Sequence, residues 1–286
     1  MALGPDPSPY TDLLRPPLRA AALNRALVRP GELWSGIEVV PALASTNTEL
    51  AARARAGAAD GTVLVTEHQT AGRGRLDRTF HTPPRAALTF SVLVRPHVPA
   101  GRFGWLPLLM GVAAVHAVRR VAGIEAGLKW PNDVLVGERK LAGILSEAAF
   151  TGDGPAVVIG MGLNVGQNRD ELPVPTATSL VLEGAAHTDR DPLLRAVLRN
   201  FAERYRTWQD GDGDAEATGL AAEYRACCTT LGRAVRVHLP GDRRADGTAD
   251  DVDADGRLAV RSPSGERTAL SAGDVVHVRP ADPATR

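Results

Sequence analysis

The apolar pattern of this chain changes period once, and that change is the strongest constraint on its fold. Up to about residue 225, stretches with helical spacing alternate with short apolar strands; beyond it only short strands and turn residues remain. Helical spacing covers residues 18–28, 44–56, 106–121 and 193–208, with Pro30 and Gly31 closing the first stretch. Thr46-Asn47-Thr48-Glu49 predicts a capping box at the start of the second. Strands are predicted at 37–40, 62–66, 88–94, around Lys129, at 134–136, 141–149 and 156–165, with turns at Gly137-Glu138 and Gly152-Asp153-Gly154. Residues 210–217 read as a linker or surface loop, followed by a short helix at 221–226. The last ~60 residues hold strands at 235–239, 246–252, 257–260, 267–270 and 275–278, the spacing of a small all-β barrel. An α+β domain followed by a β module is therefore expected.

Composition narrows the function. At 286 residues the chain suits one large domain, or a medium one with a small one. Basic and acidic residues balance at 33 each, which argues against a protein that holds nucleic acid or an anionic membrane by bulk charge. Cys227 and Cys228 are the two cysteines; they provide neither a disulfide framework nor a four-ligand zinc site, so a reducing compartment is expected. The first thirty residues lack a signal-peptide pattern, and with no run of ~20 apolar residues no transmembrane helix is expected. The seven histidines stand apart, which removes catalytic zinc. Neither a Gly-x-Ser-x-Gly elbow nor a phosphate loop ending in Gly-Lys-Ser/Thr occurs, which disfavours a serine hydrolase and excludes a P-loop ATPase.

Of the 33 basic residues only Lys129 and Lys140 are lysine, twelve residues apart counted inclusively. In an arginine-rich chain a retained lysine points to a place where a compact ammonium is needed and a planar fork fails. Both sit in an unusual stretch, Lys129-Trp130-Pro131-Asn132-Asp133 and Arg139-Lys140-Leu141-Ala142-Gly143-Ile144-Leu145. Charge inside an apolar, strand-like context is a local inconsistency of the kind found at functional sites. Two ammoniums joined by one hairpin can neutralise one anionic ligand, and Asp133 can orient an incoming amine or help hold a metal. A surface hairpin with a Lys–Asp pair is the plain alternative. Gly72-Arg73-Gly74-Arg75 and Arg78 form a loop whose backbone can approach a ligand and whose guanidiniums can grip phosphate or carboxylate. Such a loop also fits a nucleic-acid binder with a β-barrel module, which zero net charge and few aromatics disfavour. Ser45-Thr46-Asn47 suits a helix start and can also hydrogen-bond a small polar ligand. Gly160-Met161-Gly162 resembles the opening of a dinucleotide fingerprint, but Val165 stands in place of the third glycine; a glycine turn against a nucleotide is the reading left. Trp34, Trp105 and Trp208 read as core residues, with Trp130 set apart by its neighbours.

Taken in order from Ile37 to Pro280, Ser45-Thr46-Asn47, Gln69, Gly72-Arg73-Gly74-Arg75, the two lysine segments and Gly160-Met161-Gly162-Leu163-Asn164-Val165 resemble a biotin protein ligase. The resemblance implies a mixed-sheet biotin/lipoate ligase-like catalytic domain at 37–228, an SH3-like barrel at 229–286 and an N-terminal extension at 1–36. It implies that biotin and ATP give biotinyl-5'-AMP with Mg²⁺, and that biotin then passes to a lysine of a biotin carboxyl carrier domain in an acyl-CoA carboxylase. By resemblance, biotin is held by Ser45, Thr46, Asn47, Gln69, Gly72, Arg73, Gly74, Arg75 and Lys140. The adenylate falls to Arg75, Arg78, Lys129, Asn132 and Asn164, and the chemistry to Lys140, Lys129, Arg75 and Asp133. The metal ligands stay unassigned. The loop continues as Leu76-Asp77-Arg78 where some relatives have Arg-Gly-Arg. Residues 1–36 are too short for the winged helix of repressor members, so no DNA binding is expected, and a cytoplasmic monomer or weak homodimer is. A lipoate-type ligase would share fold and chemistry, but the lysine segments favour biotin.

Overall fold

The computed structural model describes residues 15–74, 79–151, 154–239, 243–271 and 274–277. A seven-stranded mixed sheet forms the larger part, in the order β1 (Gly36–Val40), β2 (Thr62–Thr66), β5 (Ala87–Val94), β9 (Gly154–Asn164), β8 (Arg139–Thr151), β7 (Asp133–Val136), β6 (Gly127–Lys129). Only β1 and β2 pair in parallel, and α2 (Thr46–Arg55) makes that crossover; every other neighbour is antiparallel.

Every residue of β5 is buried, because both faces of the sheet are covered at its centre. Alternation assigns the faces. Leu88, Phe90, Val92 and Val94 join Val63, Val65, Ile159, Met161, Leu163 and Ile144 in the main core. That core is closed by α1 (Ala20–Leu27), α3 (Trp105–Ala117) and α4 (Arg190–Asp210). On the opposite face Leu64, Leu93, Ala156 and Val158 meet Leu50, Ala51 and Ala54 of α2. Beyond the start of α2 no helix among the described residues covers that face, and several of its strand positions carry glycine.

Several boundaries differ from the sequence expectations. Ser45, not Thr46, is the N-cap of α2, and its hydroxyl faces the Thr48 amide at 3.5 Å. Glu49 therefore does not close a capping box; it pairs with Arg53 one turn on. Gly160 and Gly162 lie in the middle of β9, within the strand expected at 156–165, and do not form the glycine turn, since β5 and β8 pair with β9 on both sides. The helical stretch Ala100–Ala122 is long and apolar enough to cross a membrane by composition, a longer run than the sequence reading recognised; α4 and the sheet bury it.

A second, five-stranded antiparallel sheet follows α5 (Leu220–Cys227), in the order β13 (Arg267–Leu270), β12 (Leu258–Arg261), β11 (Arg244–Val252), β10 (Ala234–His238), β14 (Asp274–His277). This is the expected small β module. It is fastened to the larger domain rather than tethered beside it. Trp130 and Trp105 donate their indole N–H groups to Gly256 O at 3.1 Å and Ala254 O at 3.0 Å. The approach is so close that a Cβ on Gly104 would lie 2.2 Å from Asp255 O.

Candidate active site

Strand pairing lines up Thr66, Thr89, Gly162, Gly143, Asp133 and Lys129 in one row across the sheet, on β2, β5, β9, β8, β7 and β6. The adjacent row is Leu64, Ser91, Gly160 and Leu145. With glycine at three of these positions, the sheet face becomes a trough with bare backbone as its floor. The glycines are required by what lies over them. A Cβ on Gly160 would sit 2.0 Å from Asn47 Oδ1, and one on Gly162 would sit 2.5 Å from the Phe80 ring. A Cβ on Gly143 would come within 3.3 Å of Lys140 Cε and Nζ.

At one end of the trough is the ion pair Lys140 Nζ–Asp133 Oδ1, 2.6 Å apart, with the lysine half-exposed. Lys140 is held by its backbone, donating to Thr176 O and accepting from Thr178 N, each at 2.8 Å. Lys129 ends β6 on the same row and lies near His277 of the small module. Burial, then Lys129 and Arg233, hold His277 below the ordinary histidine range. Because Arg233 Nη1 can only donate, toward His277 Nδ1 at 3.4 Å, the other ring nitrogen carries the hydrogen and donates to Thr230 Oγ1 at 3.2 Å. Thr230 Oγ1 also accepts from the Trp130 amide at 3.1 Å, so the module grips the backbone next to Lys129.

At the other end is a buried polar chain. Gln69 Oε1 accepts from the Thr46 amide at 2.8 Å. Ser91 Oγ lies 2.7 Å from Thr46 Oγ1 and 2.6 Å from Asn47 Oδ1. Asn47 Nδ2 donates to Glu147 Oε2 at 2.8 Å and to Leu145 O at 3.1 Å. Thr46, Asn47, Gln69 and Ser91 are all buried.

The structure thus brings Thr46, Asn47 and Gln69 to one end of the trough and Lys129, Asp133 and Lys140 to the other. Gly72 and Arg73 form β3, which pairs with β4 (Thr79–Phe80) and carries Phe80 over Gly162. The glycine–arginine segment is therefore a strand at its edge, with Arg73 exposed and Gly74 half-buried. Arg75 and Arg78 lie outside the described residues. Three expected contacts have internal duties. Ser45 caps α2. Asn132 donates its amide to Ile144 O at 2.8 Å. Asn164 donates to Thr178 O and accepts from Gln167, each at 2.9 Å, which ties the 176–178 segment behind Lys140. Trp130 is buried against the module rather than open to a ligand.

Ser91, Glu147, Phe80, Thr230 and His277 were not singled out by sequence. Ser91 alone left a trace, as a hydroxyl inside the apolar run of β5. Among the described residues no three His, Cys, Asp or Glu side chains converge as a metal site. Asp133, already paired with Lys140, is the carboxylate on the trough row, a donor set that fits a magnesium ion carried chiefly by substrate phosphates.

A glycine-floored trough with ammoniums at one end and a buried hydroxyl–amide chain at the other suits a small polar ligand joined to an anion. The chain matches the biotin/lipoate A/B protein ligase family over residues 39–164 and the biotin protein ligase C-terminal domain over residues 230–278. It is 44% identical over 273 residues to the biotin–[acetyl-CoA-carboxylase] ligase of Mycobacterium tuberculosis, covering 94% of this chain and 98% of that one. The chain belongs to the biotin protein ligase family. The Aquifex aeolicus biotin protein ligase in complex with biotin and ATP superposes with a TM-score of 0.72, at 26% identity, over 86% of this chain and 100% of that one. The Leishmania major enzyme in complex with biotinyl-5-AMP gives 0.55, also at 26% identity, over 83% and 99%.

Proposed function

We propose that this chain activates biotin with ATP to biotinyl-5'-AMP and transfers biotin to one lysine of a biotin carboxyl carrier domain. The single row that joins the Lys140–Asp133 pair to the Thr46–Gln69 end, across Gly143 and Gly162, carries the reading. It supplies one continuous bed for a ring at one end and a reacting carboxylate and phosphate at the other.

In the first step a biotin carboxylate oxygen bonds to the α-phosphorus and pyrophosphate leaves. Two anions must approach, and the Lys140 and Lys129 ammoniums lower that repulsion in a partly dehydrated trough. Asp133 would help hold a magnesium ion carried by the nucleotide, which would neutralise phosphate charge there. In the second step the acceptor amine attacks the acyl carbon, and AMP leaves. Asp133, beside Lys140, orients the incoming amine. The β3–β4 strand pair over Gly162 keeps water from the mixed anhydride. By resemblance, Arg75 and Arg78 grip its anion. Two free thiols, Cys227 and Cys228, suit a cytoplasmic enzyme. Zero net charge adds no electrostatic footprint for DNA.

The test is pyrophosphate release with ATP and biotin, followed by labelling of a purified carrier domain, against lipoate in parallel. Biotin-dependent release and single-lysine labelling are expected. Equal or better turnover of lipoate overturns the assignment.

A further inference from the structure

The buried chain at the ring end admits one arrangement of its protons, and that arrangement has a consequence for what can bind. Asn47 faces two acceptors, Leu145 O at 3.1 Å and Glu147 Oε2 at 2.8 Å. Neither can donate, so the amide nitrogen points at both and Oδ1 points at Ser91. A carbonyl oxygen cannot donate, so the 2.6 Å contact consumes the single hydroxyl proton of Ser91. The 2.7 Å contact between Ser91 Oγ and Thr46 Oγ1 then requires the proton of Thr46. Gln69 Oε1 also lies 3.2 Å from Thr46 Oγ1, but it is already served by the Thr46 backbone amide at 2.8 Å, so the shorter 2.7 Å contact to Ser91 takes the Thr46 proton. Thr46 Oγ1 is left with lone pairs and no proton to give.

Resting on the ligase reading, we infer that Glu147, Asn47 and Ser91 are positioning residues that fix the donor direction of this chain, so that Thr46 Oγ1 accepts from the ligand. The ring end therefore selects a ring with an N–H, as in a cyclic urea, and rejects one that brings only acceptors or sulfur. The selection is strong because the chain is buried. A ligand without the donor leaves a buried acceptor unpaired, and one with an oxygen there meets lone pairs with lone pairs. On this account Asn47 does not touch the ligand; both ends of its amide are used within the protein.

The experiment measures equilibrium binding of biotin and of biotin analogues methylated at either urea nitrogen, to the full chain and to two variants. The quantity read is R, the larger ratio of methylated to unmethylated dissociation constants. Wild type should give R of at least about tenfold, the worth of one buried hydrogen bond. In Ser91→Ala the Thr46 proton is released and can turn toward the ligand, so biotin affinity falls and R collapses toward 1. Glu147→Lys places a donor where the acceptor was, with Leu145 O opposing it, and lowers R part of the way. Glu147→Gln can still accept from Asn47 and should keep R near wild type. Because Glu147 is only half-buried, its variants guard against loss of the fold in Ser91→Ala. An R unchanged in both Ser91→Ala and Glu147→Lys, with biotin bound normally by wild type, overturns the inference alone. Failure of wild type to bind biotin overturns the ligase reading with it.

Discussion

Gly160→Ala places one methyl group where the strand register leaves no room for it. The added Cβ would lie 2.0 Å from Asn47 Oδ1, 2.9 Å from Asn47 Cγ and 3.0 Å from Ser91 Oγ. Neither neighbour can simply rotate away. Asn47 is held by Leu145 O and Glu147, and Ser91 by Thr46. Asn47 Oδ1 must move by about 1 Å or more to restore an ordinary contact, which breaks its 2.6 Å bond to Ser91. Overpacking costs ~1–3 kcal/mol. A buried hydroxyl left without its acceptor costs ~1–3 kcal/mol. Relief of glycine's backbone entropy returns ~0.5–1 kcal/mol. The net is about 1–5.5 kcal/mol, or roughly 2–11 °C in Tm at the ~2 °C per kcal/mol of a chain of this size. The protein should still fold, while biotin affinity drops much further, since Thr46 loses its fixed direction. Differential scanning calorimetry and biotin titration read the two effects. Gly162→Ala is the internal comparison. Its Cβ meets the Phe80 ring at 2.5 Å, but that ring sits on a short strand pair of two residues a side, away from the buried polar chain, so Tm should change less while turnover still falls. A Gly160→Ala protein with wild-type Tm and wild-type biotin affinity would refute the reasoning.

Lys140→Arg should fail to rescue adenylation, with a loss of at least ~100-fold in pyrophosphate release, because a planar fork cannot sit both 2.6 Å from Asp133 and over bare Gly143. Near-wild-type release would remove the special role of the ammonium. Thr230→Val deprives the Trp130 amide of its acceptor, so the ATP KM should rise several-fold while biotin binding is kept; equal changes in both would show that the module does not act through Lys129. Folded His277 and His116 take up a proton less readily than the ordinary ~6.5, the first through burial, Lys129 and Arg233, the second through burial and Arg204. The unfolded chain thus binds more protons as pH falls through ~6.5, and stability drops with it. Tm should be lower at pH 5.5 than at 7.5, by less in a His116→Gln/His277→Gln double variant; a parallel fall in both proteins contradicts the assignment.

Much of the site was legible because its chemistry needs residue types that stand out locally. Two lysines in an arginine-rich chain marked Lys129 and Lys140, and the ordered motifs carried the family. The period change near residue 225 announced the second module, since strand and helix periodicities are written into neighbouring residues.

What the sequence could not supply are relations between distant segments. Gly160-Met161-Gly162 reads locally both as part of the strand at 156–165 and as a glycine turn; pairing with β5 and β8 decides for the strand and turns its glycines into a floor. Asn47 and Asn164, expected ligand contacts, also bond with both ends of their amides inside the protein, to partners that only the tertiary structure brings near. Glu147 lies 100 residues from Asn47, and His277 and Thr230 belong to the other module. The sequence by itself determined which chemical groups are present and which local elements form, because propensity and periodicity are local. The fold alone decided which groups share a row and which way each hydrogen bond points, because register and burial are set by contacts between parts of the chain that no local pattern connects.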